Sequence, residues 1–135
     1  MKLEIEKCDG FHDERGDLIQ FVTASFLKEK GVEFGQIYLL TFSKKGVVRG
    51  NHYHNQSSEV FCLISGSVEV FCEDVDTKER IHNVFTSENG FFYKIFIGPR
   101  ISHAIRSLSD FAVMVSFSSH QYAAYNDDKL PYILV

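Results

Sequence analysis

Four side chains in this sequence are of the types that could share one piece of chemistry: His52, His54, Glu59 and His103. His52 and His54 lie two apart in Val47–His54, a run that reads as a strand, so alternation puts both imidazoles on one face. Glu59 is at an odd separation from both and would point away on a continuous strand. The turn residues Asn55–Ser58 intervene, so Glu59 is expected to open the return strand of a hairpin and face its partner's histidines. His103 comes much later, just after Gly98-Pro99, and joins the group only if the sheet curls round as a barrel does. Imidazoles titrate near working pH and suit proton transfer. A bare His-x-His on a strand would carry little weight. Here the spacing is G-x5-H-x-H-x4-E-x6-G over Gly46–Gly66 and G-P-x3-H over Gly98–His103, with the glycines at turns and the histidines on strands.

The elements that must position these groups are short strands separated by turn chemistry. Leu3–Ile5 alternate, Asp13–Asp17 is a turn, and Leu18–Val22 follows as a strand. Only Ala24–Lys30 has helical character. Strands are expected at Ile37–Phe42, Val47–His54, Glu59–Ile64, Ser67–Cys72, Arg80–Phe85, Phe91–Ile97, Ser102–Arg106 and Phe111–Ser118, with a charged hairpin tip at Glu73–Lys78 and a less regular tail from Tyr122 to Val135. The reading is all-β, a sandwich or barrel such as the jelly roll, in a single domain over residues 1–135. Phe61, Phe71 and Phe96 are expected in the core. His12, His82 and His120 have no partners in the pattern and read as surface or loop residues. Arg100 and Arg106 flank His103, where a phosphate contact is one reading and a solvated charge the preferred one. Alternation sets Arg49 opposite His52, so it reaches an interior only from the strand end or if Gly50 marks a bulge.

A formal charge of −4 with no Lys/Arg run argues against a nucleic-acid partner. No apolar stretch approaches the ~20 residues of a membrane span, and MKLEIEKCDG lacks the apolar segment of a signal peptide. Cys62 and Cys72 sit in apolar runs, and with Cys8 the thiols are odd in number and form no CxxC pair, which fits buried thiols in a reducing cytoplasm.

GVVRGNHYHNQSSEVFCLISG resembles the first cupin motif with every spaced position filled, and GPRISH resembles the second, one residue shorter than the commonest form and without its glycine. The resemblance implies a cupin (RmlC-like jelly-roll) β-barrel, in which His52, His54, Glu59 and His103 bind one divalent metal; such a set of three imidazoles and a carboxylate would suit Zn²⁺, Ni²⁺, Mn²⁺ or Fe²⁺, and the sequence does not choose among them. A narrower resemblance covers nearly the whole chain. Asp13–Leu18 is similar to the early D-x-R-G-x-L turn of the WxcM-like sugar 3,4-ketoisomerases, which act on dTDP-4-keto-6-deoxyglucose. Gln36-Ile37-Tyr38 looks like their tyrosine-bearing strand, Arg49–His54 matches R-G-x-H-x-H, and Ile64–Val68 contains their S-G-S-V. The rhamnose-pathway 3,5-epimerases share part of this pattern but usually place Gln where His54 stands. The ketoisomerases typically work without a metal, and many carry a non-acidic residue where this chain has Glu59. The stretch Gly50–His54 also resembles the metal-binding cupin domain of capsular UDP-sugar epimerase/reductases.

The ketoisomerase resemblance implies a cytoplasmic enzyme of deoxysugar and surface-polysaccharide biosynthesis, without cofactor, working as a homodimer on a nucleotide-linked sugar. In that setting His52 is the base candidate, His54 its acid partner or proton shuttle, and Tyr38 a donor to the ketone oxygen. Arg49, Asn51 and His103 are the candidate substrate contacts, with Arg49 on the pyrophosphate or the developing oxyanion. Two alternatives stay open: a metal-dependent cupin enzyme, such as an epimerase, with His52, His54, Glu59 and His103 as ligands, and a non-catalytic sugar-binding cupin.

Overall fold

The computed structural model describes residues 2–87 and 90–135; Met1, Glu88 and Asn89 lie outside the described residues, and of Tyr125 and Asn126 only the backbone is described. The chain runs β1 (Leu3–Lys7), β2 (Asp9–Asp13), β3 (Gly16–Gln20), α1 (Ala24–Lys30), β4 (Gln36–Phe42), β5 (Val48–His54) and β6 (Glu59–Ser65). It continues through β7 (Ser67–Asp74), β8 (Arg80–Thr86), β9 (Tyr93–Ile97), β10 (Ile101–Ser107), β11 (Ala112–Ser118), α2 (Tyr122–Asp127) and β12 (Lys129–Pro131). Two five-stranded sheets, β1-β9-β6-β11-β4 and β12-β5-β10-β7-β8, form the jelly-roll body, and β2-β3 is a separate hairpin. The expected barrel is therefore two sheets enclosing one interior, with the hydrogen-bond ladders not running continuously round it.

The interior follows from strand alternation. Phe42, Phe61, Leu63, Ile95, Ile97 and Met114 of the first sheet meet Val68, Val70, Cys72, Ile101 and Ile105 of the second. β6 reads as a continuous apolar run because its other face is covered too: Val60 packs with Phe26 of α1, Phe96 and Phe117. α1 spans the expected residues. Thr23 Oγ1 accepts from the Phe26 N–H at 3.1 Å, and Gly31 closes the last turn at φ 66°. Cys8, Cys62 and Cys72 are free and buried, and burial pushes the Cys72 thiol up to about 12.

Several expectations are corrected. Residues 9–13 form a strand, β2, paired with β3. Phe71 is on the outer face, half-buried and stacked on His82 with ring centroids 4.4 Å apart, while Phe61 and Phe96 are buried as expected. The tail is ordered: after α2, β12 pairs with β5 in the register Lys129↔His54, Leu130↔Tyr53, Pro131↔His52. Among the described residues no helix is long and apolar enough to cross a membrane.

The pairing of β5 with β10 carries a local irregularity. The two strands run in register as Ile105↔Arg49 and Ala104↔Gly50, then His103↔His52, which leaves Asn51 bulged out of the ladder. Gly50 and Asn51 take φ of 97° and 59°, and a Cβ on Gly50 would lie 2.5 Å from the His103 carbonyl oxygen. Only glycine meets both demands. Gly50→Ala is expected to lower stability by about 1–3 kcal/mol or more, read from urea unfolding; an unchanged midpoint would mean the bulge is not needed.

Candidate active site

The bulge changes which side chains face inward. Alternation would separate Arg49 from His52, but the extra residue inverts the phase, so Arg49, His52 and His54 all belong to the inner side. Asn51 is turned outward. Its Nδ2 donates to the Val135 carbonyl at 3.0 Å, and its Oδ1 accepts from the Leu134 N–H at 2.8 Å. The structure therefore makes Asn51 an anchor for the tail and does not bring it to the cavity, contrary to its expected place among substrate contacts.

His103 does not depend on the sheet curling round. It is the direct cross-strand neighbour of His52 in the same sheet, with ring centroids 4.7 Å apart. Glu59 is the residue that needs the enclosing architecture. β5 and β6 do not form the expected hairpin; the Asn55–Ser58 turn carries the chain from one sheet to the other, and Glu59 faces the histidines across the interior. Tyr38 likewise comes from the opposite sheet, on β4.

Glu59 is only 1% exposed. Its Oε1 lies 3.2 Å from His54 Nε2 and 3.2 Å from His103 Nε2, and its Oε2 accepts from the Tyr38 hydroxyl at 2.9 Å. Burial alone would raise its carboxyl, but His103 and His54 outweigh that and hold it below the usual carboxylate range. His52 behaves in the opposite sense. Burial, aided by the neighbouring His103, pushes it down to about 3, so its imidazole is neutral at physiological pH.

A cavity of about 610 Å³ opens on this cluster. His52, His103 and Phe61 line its inner part together with Tyr38, and Arg49, Gln36, Tyr122 and Lys129 are also in its wall. His54 and Glu59 are not in the lining and sit behind it. Arg49 Nε donates to the Thr41 carbonyl at 3.0 Å. Tyr122 and Lys129 belong to the C-terminal segment, to which the sequence pattern assigns no role; the β12 pairing brings Lys129 here, and the Tyr122 N–H donates to Gln36 Oε1 of β4 at 2.9 Å. Arg100 and Arg106 are engaged elsewhere, with Asp76 at 2.7 Å and Glu69 at 2.6 Å. His12 pairs with Asp17, His82 with Glu69, and His120 with Ser57 and Ser119.

The same four residues fit a divalent cation. Their ligand atoms all lie within 4.8 Å of one another, and His52 Nε2 is buried with no hydrogen-bond partner among the described residues. Three imidazole nitrogens and a carboxylate oxygen are an ordinary donor set for Zn²⁺, Ni²⁺, Mn²⁺ or Fe²⁺.

The profile of the polysaccharide biosynthesis C-terminal domain matches residues 11–130. Among solved structures, a 3,4-ketoisomerase from Helicobacter canadensis is 25% identical, with 96% of this chain and 90% of that one covered at a TM-score of 0.79. RmlC, a dTDP-6-deoxy-D-glucose-3,5-epimerase from Legionella pneumophila Philadelphia 1, is 21% identical over 96% of this chain and 72% of its own, at a TM-score of 0.81. QdtA, a sugar 3,4-ketoisomerase from Thermoanaerobacterium thermosaccharolyticum in complex with TDP, is 19% identical over 96% and 87%, at 0.77. The last two share the fold. No curated protein matches.

The His52 shift has a measurable consequence. In the unfolded chain this imidazole takes up a proton near pH 6.5, while in the fold it does so only near 3. Its contribution is therefore complete above pH 6.5 and lost progressively below it. Stability is expected to fall by about 1 kcal/mol between pH 7.5 and 5.5 from this group, and His52→Gln should remove that part of the slope. An unchanged slope would show that His52 titrates normally.

Proposed function

The chain belongs to the polysaccharide biosynthesis C-terminal domain family, and from that premise we propose that it is a nucleotide-sugar 3,4-ketoisomerase. Its substrate is a dTDP-4-keto-6-deoxyhexose, and it works as a cytoplasmic homodimer of one cupin domain over residues 1–135. The observation that carries this reading is a neutral His52 in the wall of a sugar-sized cavity, with the Tyr38 hydroxyl set opposite from the other sheet. The 25% identity to a 3,4-ketoisomerase along almost the whole chain supports it.

A 4-keto group acidifies the C3–H. His52 takes that proton, and the electron pair moves into a C3–C4 double bond with negative charge on the C4 oxygen. A neutral imidazole is the form that can accept, and the growing negative charge beside it raises its proton affinity as the reaction proceeds. Tyr38 turns its hydroxyl from Glu59 to that oxygen when the sugar is bound, and Arg49 adds positive charge at the cavity wall. The C3 hydroxyl proton then passes to the C4 oxygen, and the protonated His52 delivers its proton to C4, giving the 3-keto, 4-hydroxy product. Glu59 joins Tyr38 to His54 and His103 through its two oxygens, so His54 acts as a proton shuttle behind the cavity and His103 as the wall against which the sugar rests. Arg49 and Lys129 are the cations available to a diphosphate. The exposed Ile37 and Leu39 on edge strand β4 and Phe11 and Leu18 on the β2-β3 hairpin are apolar surface that suits a second copy.

The four-donor cluster supports a second reading, a metal-dependent cupin enzyme such as an epimerase. With a divalent cation bound, His52, His54, Glu59 and His103 hold it, and it supplies Lewis-acid polarisation of the keto oxygen. Metal analysis of protein purified without a histidine tag separates the two: about one equivalent that Glu59→Gln loses favours the second, and a substoichiometric content favours the first.

For the leading reading, His52→Asn is expected to bind the nucleotide sugar with near-normal affinity and to lose about 10³-fold or more in kcat. Arg49→Ala should raise KM about 10-fold with a smaller change in kcat. Turnover by His52→Asn at the wild-type rate would remove the base assignment.

A further inference from the structure

The Asn55–Ser58 turn, which carries the chain from β5 to β6, is held by residues far from it in sequence. Asp128 Oδ1 accepts from the Asn55 N–H at 3.1 Å, and its Oδ2 accepts from the Gln56 and Ser57 N–H groups at 2.8 and 2.9 Å. The next residue, Lys129, starts the β12 ladder opposite His54. One short segment therefore grips both the histidine strand and the turn beyond it. On a second side, the Ser58 N–H donates to Ser119 Oγ and the Ser119 N–H to the Ser58 carbonyl, each at 2.9 Å. On a third, Arg100 donates from Nη1 to Asn55 Oδ1 at 2.8 Å and from its backbone N–H to the His54 carbonyl at 2.7 Å.

This turn fixes the distance between the two halves of the site. His54 precedes it directly, and Glu59 begins the next strand two residues after Ser57. Glu59 Oε1 reaches both His54 Nε2 and His103 Nε2 at 3.2 Å. That separation is already at the long end of the hydrogen-bond range, and a displacement of about 1 Å would take the carboxylate out of reach of one imidazole. Hydrogen bonds from three backbone donors to one carboxylate are charge-assisted and define the path of a turn more sharply than neutral partners would.

We infer that Asp128 is a positioning residue: by holding the backbone of residues 55–57 it sets Glu59 between His54 and His103 and so tunes proton transfer without touching substrate. The kinetic part of this inference rests on the isomerase reading; the geometric part does not. Asp128→Asn keeps the side-chain shape but turns one acceptor into a donor facing a backbone N–H. It is expected to lower kcat about 10–100-fold with KM within about two-fold of wild type. In substrate-free protein, the ¹⁵N signals of His54 and His103 Nε2 should move while amide signals of the β2-β3 hairpin stay in place. Asp128→Glu, which retains the charge, should recover part of the kcat, and it carries the imidazole comparison if Asp128→Asn does not fold. Imidazole signals identical to wild type in the folded variants would overturn the inference, as would wild-type kcat. If the wild-type protein has no ketoisomerase activity, the imidazole signals alone decide.

Discussion

A carboxylate with 1% exposure lies at the centre of this molecule, and much of the site's arrangement can be understood as what keeps it there. An isolated ionised carboxyl in such an interior would neutralise by taking up a proton. Glu59 keeps its charge because two imidazoles meet one oxygen and a phenol meets the other. Those partners come from three strands in two sheets, so the charge is stable only when both sheets are in place. The cost of burying it is offset by geometry, and losing any one partner would expose the rest of the cluster to that cost.

The same arrangement divides labour among the histidines. His54 and His103 are committed to Glu59, whereas His52 has no such partner among the described residues and is held neutral by burial and its neighbours. His52 and His103 border the cavity while His54 stays behind it. A neutral imidazole facing the cavity thus stands in front of a polar cluster of the buried His54 and Glu59 with the half-buried Tyr38. Whether a cation occupies the centre or not, the four donors respond to the same constraint: their spacing is set by backbone elements and not by the side chains alone.

The histidine cluster was legible from spacing alone, because alternation fixes the relation of His52 to His54 and the motif glycines mark the turns. How the cluster is assembled was not. Sequence suggested a hairpin for Glu59 and a curled sheet for His103, whereas strand adjacency brings His103 and the crossing between sheets brings Glu59. Periodicity reports which face a residue occupies but says nothing about which strand lies beside it. Arg49 and Asn51 show the other limit. A single bulged residue exchanged their faces, and the only local sign was Gly50, whose close approach to the His103 carbonyl cannot be read without the partner strand. The tail was read as less regular because its strand is three residues long. Pairing with β5 places Lys129, the turn beyond β5 holds Asp128, and Gln36 of β4 holds Tyr122.

The central claim is that His52 moves a proton on the sugar ring so that the carbonyl migrates. The direct measurement is NMR of dTDP-4-keto-6-deoxyglucose incubated with the protein in D₂O. Proton transfer by His52 between C3 and C4 predicts a product with its carbonyl at C3, and C4 carries either the hydrogen taken from C3 or deuterium that exchanged onto His52 before delivery. A carbonyl that stays at C4, with deuterium appearing only at C3 or C5, would contradict it and identify the protein as an epimerase.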